Sequence, residues 1–195
     1  MPTGASMTGF TEGCILCLGF FDGVHLGHRE LIKKACELRE NTGLPVFVHT
    51  FLISPASVLS GKEPMCLTDN KRKEQLLLSY GADRVIFSPF DETIRDLSGR
   101  DYFERFLMKE LHTRWIVAGE DHRFGRNGDT GAAELKSLCR ENGVGLSLIP
   151  SVCTEDGVRV SSTAIRAALQ INNIALAEKM LGRSVDMTDP EHPYL

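Results

Sequence analysis

Short apolar runs alternate along this chain with segments whose apolar residues recur at helical spacing. The runs are bounded by glycine, proline or polar residues, as in strands buried within a parallel sheet. They predict strands over residues 14–18, 45–50, 84–87, 115–118 and 145–149. The periodic segments predict helices over residues 28–41, 69–80, 99–111, 131–142 and 163–170. Strands that alternate with helices indicate an α/β protein with a Rossmann-like, doubly wound parallel sheet of about five strands.

The region between the second strand and the second helix, residues 52–66, has scattered serine, proline and glycine and little periodicity. We expect a long loop here. In a compact domain such a loop usually serves as a lid or a binding loop, and a plain surface loop is the alternative.

The segment GFFDGVHLGH, residues 19–28, lies where the first strand becomes the first helix. The start of a helix presents unpaired backbone N–H groups and the positive end of the helix dipole, so it attracts phosphate. Gly23 and Gly27 lack a Cβ that would keep a phosphate at a distance. His25 and His28 add side chains that can donate hydrogen bonds and change charge near neutral pH. This segment predicts a site for nucleotide phosphates.

Composition mainly excludes other classes of protein. The chain has 195 residues, of which 42% are hydrophobic, and a net charge of −4. These values are those of an ordinary soluble domain, and they do not favour nucleic acid as a partner. The apolar stretch 14–21 is too short to span a bilayer and lacks the basic flank of a signal peptide. We therefore expect a cytoplasmic protein with no membrane partner.

The six cysteines raise the question of a metal site, because Cys14, Cys17, His25 and His28 follow one another along the chain. Residues three apart in a strand point to opposite faces, and the gap between the histidines is shorter than zinc-finger spacing. The same alternation argues against a redox-active cysteine pair. We expect no protein-bound metal and expect most cysteines to be small apolar core residues.

The glycine-histidine segment resembles the HxGH signature of the nucleotidyltransferase superfamily, with His25, Gly27 and His28 at its specified positions. The longer string GFFDGVHLGH is similar to the FMN adenylyltransferase (FAD synthetase) module of the bacterial riboflavin kinase/FAD synthetase family. Residues 117–125 resemble the family's GxDFxFG segment, and residues 160–166 resemble its ISSTxIR segment. The α/β pattern is followed by Leu-Gly-Arg at residues 181–183. This tripeptide lies where the module of the family ends. The order and spacing of these motifs fit the family over about residues 14–185.

This resemblance implies a nucleotidyltransferase-type fold and transfer of AMP from ATP to the phosphate of FMN, giving FAD and pyrophosphate. His25, His28 and Arg166 are the implied catalytic residues: the histidines donate to the α- or β-phosphate, and the arginine grips the β- and γ-phosphates. Mg²⁺ carried by the ATP phosphates is the implied cofactor. The implied ATP site comprises Gly19, Phe20, Asp22, Gly23, His25, Gly27, His28, Ser161, Ser162, Thr163 and Arg166. The implied FMN site comprises Thr50, Phe51, Asp121 and Phe124.

Some of these assignments have structural alternatives. Asp22 could instead cap or hydrogen-bond its own turn. Ser161 and Ser162 could simply cap the following helix, and Phe124 could be a core residue. The isolated histidines His49, His112 and His192 carry no motif, and we expect them to have no role in the site.

The chain also departs from the family pattern. Thr50 and Phe51 resemble the start of the family's TFxPHP loop, but Leu52-Ile53-Ser54-Pro55 keeps only its last proline. His122 replaces the first phenylalanine of GxDFxFG, and Asn172-Asn173 replaces a glycine-aspartate pair. Two other hypotheses stay open. One is transfer to a different acceptor, such as phosphopantetheine or nicotinamide mononucleotide, and the other is a flavin- or nucleotide-binding regulator without turnover.

We expect one nucleotidyltransferase domain over residues 1–185 and a short tail over residues 186–195. Nothing after residue 183 resembles the riboflavin kinase of the family, so riboflavin phosphorylation is not expected from this chain. ATP and FMN are the expected partners, and the oligomeric state is not predicted.

Overall fold

A parallel sheet forms the centre of the protein in the computed structural model, which describes residues 13–61 and 66–185. Within these ranges the strands are β1 Cys14–Leu18, β2 Val46–Phe51, β3 Arg84–Ser88, β4 Thr113–Gly119 and β5 Gly145–Ile149. Their order is β3-β2-β1-β4-β5, so the direction of winding reverses at β1. Leu16 of β1 pairs with Phe47 of β2 on one side and with Ile116 of β4 on the other. The predicted α/β fold is confirmed, and its ligand crevice is expected beyond the carboxyl ends of β1 and β4.

Helices cover both faces of this sheet. They are α1 Leu26–Thr42, α2 Pro55–Ser60, α3 Asn70–Ser79, α4 Glu92–Arg95, α5 Gly99–Asp101, α6 Ala132–Glu141, α7 Ser162–Gln170 and α8 Ile174–Leu181. A π-helix, Tyr102–Glu110, continues α5, and a 3₁₀ turn spans Arg126–Gly128. No helix within the described ranges is long and apolar enough to cross a membrane.

The residues of β1 are all buried, and they enter different hydrophobic clusters in alternation. Cys14, Leu16 and Leu18 pack with the π-helix and α6, whereas Ile15 and Cys17 pack with α1 and α3. Cys14 and Cys17 therefore point to opposite faces, as their spacing predicted. Burial raises the pKa of both thiols, so they stay protonated and behave as small apolar groups.

A further apolar cluster joins α7 and α8 to the segment around Leu67. Gly23, in the turn after β1, lies against the side chains of Leu67 and Leu181. The last helices of the domain are thereby brought next to the turn that follows the first strand.

Two element predictions need correction. The region 52–66 is not a continuous loop, because it contains α2, which begins at Pro55, where a fixed φ and a missing N–H suit the first helical position. Six helical residues are too few to show a clear helical period. The helix predicted over 99–111 begins as expected, with the Ser98 side chain accepting from the Asp101 N–H, but it becomes π-helical from Tyr102.

Other boundaries differ less. α1 begins at Leu26 rather than at residue 28, because His25 caps it, and the sequence pattern did not predict α4 or α8. The tail expected over residues 186–195 and the first twelve residues lie outside the described chain, as do residues 62–65.

Helix α3 offers a matched test of core packing, because Leu77 is fully buried while its neighbour Leu78 is 43% exposed. Leu77→Ala should lower the free energy of unfolding by about 2–5 kcal/mol, since it removes buried methyl groups and leaves a cavity. Leu78→Ala should change it by less than about 0.5 kcal/mol. Urea denaturation of both variants measures the difference, and equal losses would contradict the packing described here.

Candidate active site

The segment that follows β1 is a strained turn. Phe21, Gly23 and Val24 have φ values of 56°, 77° and 38°. Glycine adopts such angles readily, but a phenylalanine and a β-branched valine do so only where the surroundings hold them. The turn leads into His25, whose Nδ1 accepts a hydrogen bond from the His28 N–H at 3.4 Å and so caps α1. Backbone strain of this kind clusters at functional sites.

Asp22, within this turn, is buried and tied to distant parts of the chain. Its Oδ1 accepts hydrogen bonds from the N–H groups of Leu67 at 2.8 Å and Thr68 at 3.3 Å. Its Oδ2 accepts from the Arg166 guanidinium, and its carbonyl oxygen accepts from the Ser162 hydroxyl at 2.9 Å. Asp22 thus joins the turn to the start of α7. The Asp22 carboxylate bonds these distant groups instead of its own turn, so its structural role differs from the expected alternative, and contact with ATP stays a prediction.

Arg183 holds the same turn from the end of α8. Its guanidinium donates to the carbonyl oxygens of Gly23 at 2.6 Å and Val24 at 3.1 Å. The sequence marked Arg183 only as part of a Leu-Gly-Arg motif. Its partner lies 160 positions away, so no local pattern could have shown the contact.

The two histidines of the segment stack on each other, with ring centroids 3.6 Å apart. Burial, aided by the charge of Arg183, lowers the pKa of His25 to about 4. Burial, with smaller contributions from His25, Lys73 and Arg183, holds the pKa of His28 well below its usual range. Both rings are therefore neutral at pH 7. The expectation that they change charge near neutral pH is wrong for this structure, because the folded chain removes them from water.

Neutral imidazoles can still donate one hydrogen bond each. His25 Nδ1 is an acceptor, so its proton lies on Nε2. His28 Nδ1 is buried and finds no hydrogen-bond partner among the described residues. A buried polar atom without a partner costs about 1–3 kcal/mol, and a catalytic role is one accepted reason for keeping it.

A cavity of about 380 Å³ opens beyond the carboxyl end of β1, and we call it the anion cavity. Residues from the starts of α1 and α7 line it together. Ser161 caps α7 by accepting a hydrogen bond from the Ala164 N–H at 3.1 Å. The positive ends of two helix dipoles therefore meet at one cavity, which favours a negatively charged ligand. The predicted site residues that line it are Gly19, Phe20, His25, Gly27, His28, Asp121, Ser161, Ser162 and Thr163.

A second cavity, of about 340 Å³, lies beside the first and is walled mainly by apolar side chains; we call it the apolar cavity. Its apolar lining residues are Leu18, Phe20, Phe51, Pro55, Ala56, Leu59, Phe90, Ile94, Tyr102 and Phe124. The two cavities share Leu18, Gly19, Phe20, His122 and Arg123. A ligand with a flat ring system at one end and a phosphate at the other could occupy both.

Several predicted site residues are placed differently from expectation. Thr50 is fully buried, and its hydroxyl donates to the Phe20 carbonyl oxygen at 2.8 Å. Asp121 lines the anion cavity instead of the apolar one, and its carboxylate pairs with Arg159 at 2.6 Å. Arg166 pairs with Asp22. Within the described chain, Asp22, Gly23, Thr50 and Arg166 are not among the residues that line either cavity, so their contact with a ligand stays a prediction.

Residues 8–164 of this chain match the family model described as FAD synthetase. The chain belongs to the FAD synthetase family. The bifunctional riboflavin kinase/FMN adenylyltransferase of Escherichia coli K12 is 37% identical to it over 172 residues, which make up 88% of this chain and 55% of that protein. The counterpart from Haemophilus influenzae is 33% identical over 173 residues, 88% of this chain and 56% of its own length. The chain thus spans about half the length of the curated relatives it matches.

Solved structures agree with the nucleotidyltransferase-type fold. A Streptococcus pneumoniae structure described as a macrolide-efflux protein has a TM-score of 0.78 and 30% identity, and the match covers 90% of this chain and 57% of that one. Pantoate-β-alanine ligase from Francisella tularensis has a TM-score of 0.55 and 18% identity over 94% of this chain and 77% of its own. This second likeness shows the fold alone.

The sequence analysis of this FAD synthetase family member did not identify some residues that line the cavities. His49 is buried in β2, with Nε2 at 2.9 Å from the Ser88 hydroxyl and Nδ1 at 3.2 Å from the Tyr102 hydroxyl. It lines the apolar cavity, and Arg159 lines the anion cavity. The available signal for His49 was its place near the carboxyl end of a predicted strand, where ligands gather in this kind of fold.

The protein itself offers little for a metal ion. Among residues 13–61 and 66–185, no group of three or more histidine, cysteine, aspartate or glutamate side chains could hold one. A metal at this site would need most of its ligands from the phosphates of a bound nucleotide.

The contact between Arg183 and the strained turn can be tested by Arg183→Gln. This change should lower the free energy of unfolding by about 1.5–3 kcal/mol, because two charged hydrogen bonds to carbonyl oxygens are lost. It should also raise the pKa of His25, since a nearby positive charge is removed. Urea denaturation and an NMR titration of the His25 ring measure the two effects. Lys179→Gln, on the exposed face of α8, is the control, and an unchanged His25 pKa in Arg183→Gln would contradict the arrangement.

The buried histidines also predict how stability depends on pH. Burial lowers the pKa of His49 to about 3, far below its value in an unfolded chain. The unfolded chain therefore binds more protons below about pH 6.5, and the free energy of unfolding should fall as the pH drops from 7 to 5. His49→Gln should reduce this fall by about 1–2 kcal/mol. Urea denaturation at both pH values checks it, and an identical pH dependence in the variant would count against a buried neutral His49.

Proposed function

We propose that this chain catalyses transfer of AMP from ATP to the phosphate of FMN, releasing pyrophosphate and giving FAD. The observation that carries the proposal is the pair of adjoining cavities at the carboxyl edge of the sheet. One has the helix starts and histidines that suit a triphosphate, and the other has the aromatic walls that suit a flavin ring. Membership of the FAD synthetase family supports the same assignment. The proposal covers adenylyl transfer alone.

In this proposal the triphosphate of ATP lies in the anion cavity. The backbone N–H groups at the starts of α1 and α7 face phosphate oxygens, and Gly19 and Gly27, which line the cavity, allow the backbone to approach them. Gly23 would act through the shape of the turn, because it packs against Leu67 and Leu181. His25 Nε2 and His28 donate hydrogen bonds to the α- and β-phosphates. Because both imidazoles are neutral and already held by stacking and capping, they stabilise the charge that develops in the transition state without reorganising.

The reaction itself needs positioning more than acid or base chemistry. A phosphate oxygen of FMN attacks the α-phosphorus of ATP, a new P–O bond forms, and the bond to the β-phosphate oxygen breaks as pyrophosphate leaves. The FMN phosphate is ionised at neutral pH and needs no base to activate it. The protein has to hold the two substrates with these atoms in line.

The role of Arg166 in this proposal depends on its ion pair with Asp22. Its guanidinium is held by the buried Asp22 carboxylate, one turn inside α7. We propose that it supplies positive charge behind the β- and γ-phosphates, and that direct contact with them requires the guanidinium to shift away from Asp22. Ser161, Ser162 and Thr163 would place the start of α7 against the same phosphates.

The flavin ring of FMN would lie in the apolar cavity against Phe51 and Phe124. Thr50 would act indirectly, by fixing the Phe20 carbonyl, and Asp121 would lie toward the phosphate end. The altered loop Leu52-Ile53-Ser54 still delivers Pro55 and Ala56 to the wall of this cavity, since α2 begins there. This arrangement favours FMN over the other acceptors considered above, because the three-ring flavin can pack against the aromatic side chains of the apolar cavity, whereas phosphopantetheine has no ring and nicotinamide mononucleotide has only one small aromatic ring.

We further propose that Mg²⁺ enters with ATP and bridges its phosphate oxygens. Its ligands would come from ATP, in keeping with the absence of a carboxylate or histidine cluster from the described residues. The cytoplasmic location expected from the sequence belongs to this proposal too.

Replacing His28 tests the proposal directly. His28→Asn should lower the rate of FAD formation from ATP and FMN by about 10²–10³-fold, because a preorganised donor to the phosphates is lost. His112→Asn is the matched control, since His112 is exposed and has a φ of 50°, an angle that asparagine tolerates. Chromatography of FAD and pyrophosphate measures both variants. Equal rates in the two, or transfer to phosphopantetheine or nicotinamide mononucleotide in preference to FMN, would contradict the proposal.

A further inference from the structure

His122 lies where the two cavities meet. Its side chain lines both the anion cavity and the apolar cavity. Its ring stacks near that of Phe124, with centroids 5.9 Å apart and planes 26° apart. It lies three residues after the end of β4, at the edge of the sheet where the ligand crevice is expected.

The ring nitrogens of His122 are available to form hydrogen bonds with a ligand. In the described part of the chain neither of them has a hydrogen-bond partner. His49 also lines the apolar cavity, but both of its ring nitrogens lie within hydrogen-bond distance of Ser88 and Tyr102. Arg123, the other polar residue of the shared wall, donates its Nε–H to the Gly128 carbonyl oxygen at 2.8 Å.

The charge state of His122 narrows the kind of group it can recognise. Burial lowers its pKa to about 4, although the nearby Asp121 carboxylate acts in the opposite direction. At pH 7 the ring is neutral and presents one N–H donor and one acceptor nitrogen. A hydroxyl group can accept from the N–H or donate to the other ring nitrogen, whereas an ionised phosphate can only accept and a flat apolar ring can do neither.

We propose that His122 hydrogen-bonds a hydroxyl group of the ribityl chain of FMN, at the point where that chain passes between the cavities. This inference rests on the proposed function for the identity of the acceptor. If the flavin ring occupies the apolar cavity and the phosphate occupies the anion cavity, the polyhydroxylated chain between them must cross the wall that His122 forms. A phenylalanine, which the family pattern has at this position, cannot make such a bond.

Flavins that differ only in the chain make the test specific. FMN and riboflavin carry the ribityl hydroxyls, whereas lumiflavin has the same ring system with a methyl group in place of the chain. His122→Phe keeps an aromatic ring beside Phe124 and removes the two nitrogens. Dissociation constants from quenching of flavin fluorescence should rise about 3- to 10-fold for FMN and riboflavin in this variant, the range for one neutral hydrogen bond.

The affinity for lumiflavin should stay within about twofold of the parent protein, which also shows that the variant is folded and its apolar cavity intact. His122→Gln restores a donor and an acceptor and should bind FMN more tightly than His122→Phe does. Unchanged FMN affinity in His122→Phe, an equal loss for lumiflavin, or no recovery in His122→Gln would overturn the proposed contact.

The same experiment separates this inference from the proposed function. If the parent protein and His122→Phe show the predicted difference in FMN binding but no FAD forms with ATP and Mg²⁺, adenylyl transfer is refuted and the contact stands. If FAD forms with equal KM for FMN in both proteins, the contact alone is refuted. If the parent protein binds no FMN, both are refuted.

Discussion

The turn over residues 21–24 is the constraint on which the site depends. Its positive φ values at Phe21 and Val24 are unfavourable for these side chains, so the conformation persists only because tertiary contacts over-determine it. Asp22 supplies part of that restraint through Leu67, Thr68 and the start of α7, and Arg183 supplies another part from the end of α8. The direction in which α1 starts, and hence the position of His25 and His28, follows from these contacts. The geometry of the site therefore depends on contacts that α7 and α8 make to the turn after the first strand.

The electrostatics of the anion cavity follow from the same architecture. Burial keeps His25 and His28 neutral, so in the proposed function the attraction for a triphosphate would come from the helix dipoles of α1 and α7 and from nearby guanidinium groups. In that proposal the histidines would contribute oriented donors instead of charge. Preorganised neutral donors of this kind suit a reaction in which the nucleophile already exists as an ionised phosphate. The proposed contact of the neutral His122 with FMN would be a neutral hydrogen bond of the same kind, made to the acceptor substrate.

The fold was predictable because it depends on local patterns. The apolar runs placed each strand of the described chain to within two residues, and the alternation within β1 correctly separated Cys14 from Cys17. The position of the glycine-histidine segment between a strand and a helix also located the anion cavity, because ligands collect at the carboxyl edge of a parallel sheet. α2 was not predicted because its six residues show no clear helical period. The π-helix was not predicted because apolar spacing does not distinguish a π-helix from an α-helix.

The restraints on the site were not predictable, because they join residues far apart in sequence. Asp22 pairs with Arg166 because of the way α7 packs. Arg183 donates hydrogen bonds to the carbonyl oxygens of Gly23 and Val24 because of the way α8 packs. The neutral state of the histidines could not be foreseen either, since it results from burial in the assembled fold.

The central claim is that the two adjoining cavities bring the phosphate of FMN to the α-phosphorus of ATP. Incubating the protein with Mg²⁺, FMN and ATP labelled separately at the α- or the γ-phosphate tests it most directly. The account predicts that the α-label appears in FAD, the γ-label appears in pyrophosphate, and the two products form in equal amounts. Absence of labelled FAD, or transfer of the γ-label to a flavin, would contradict it.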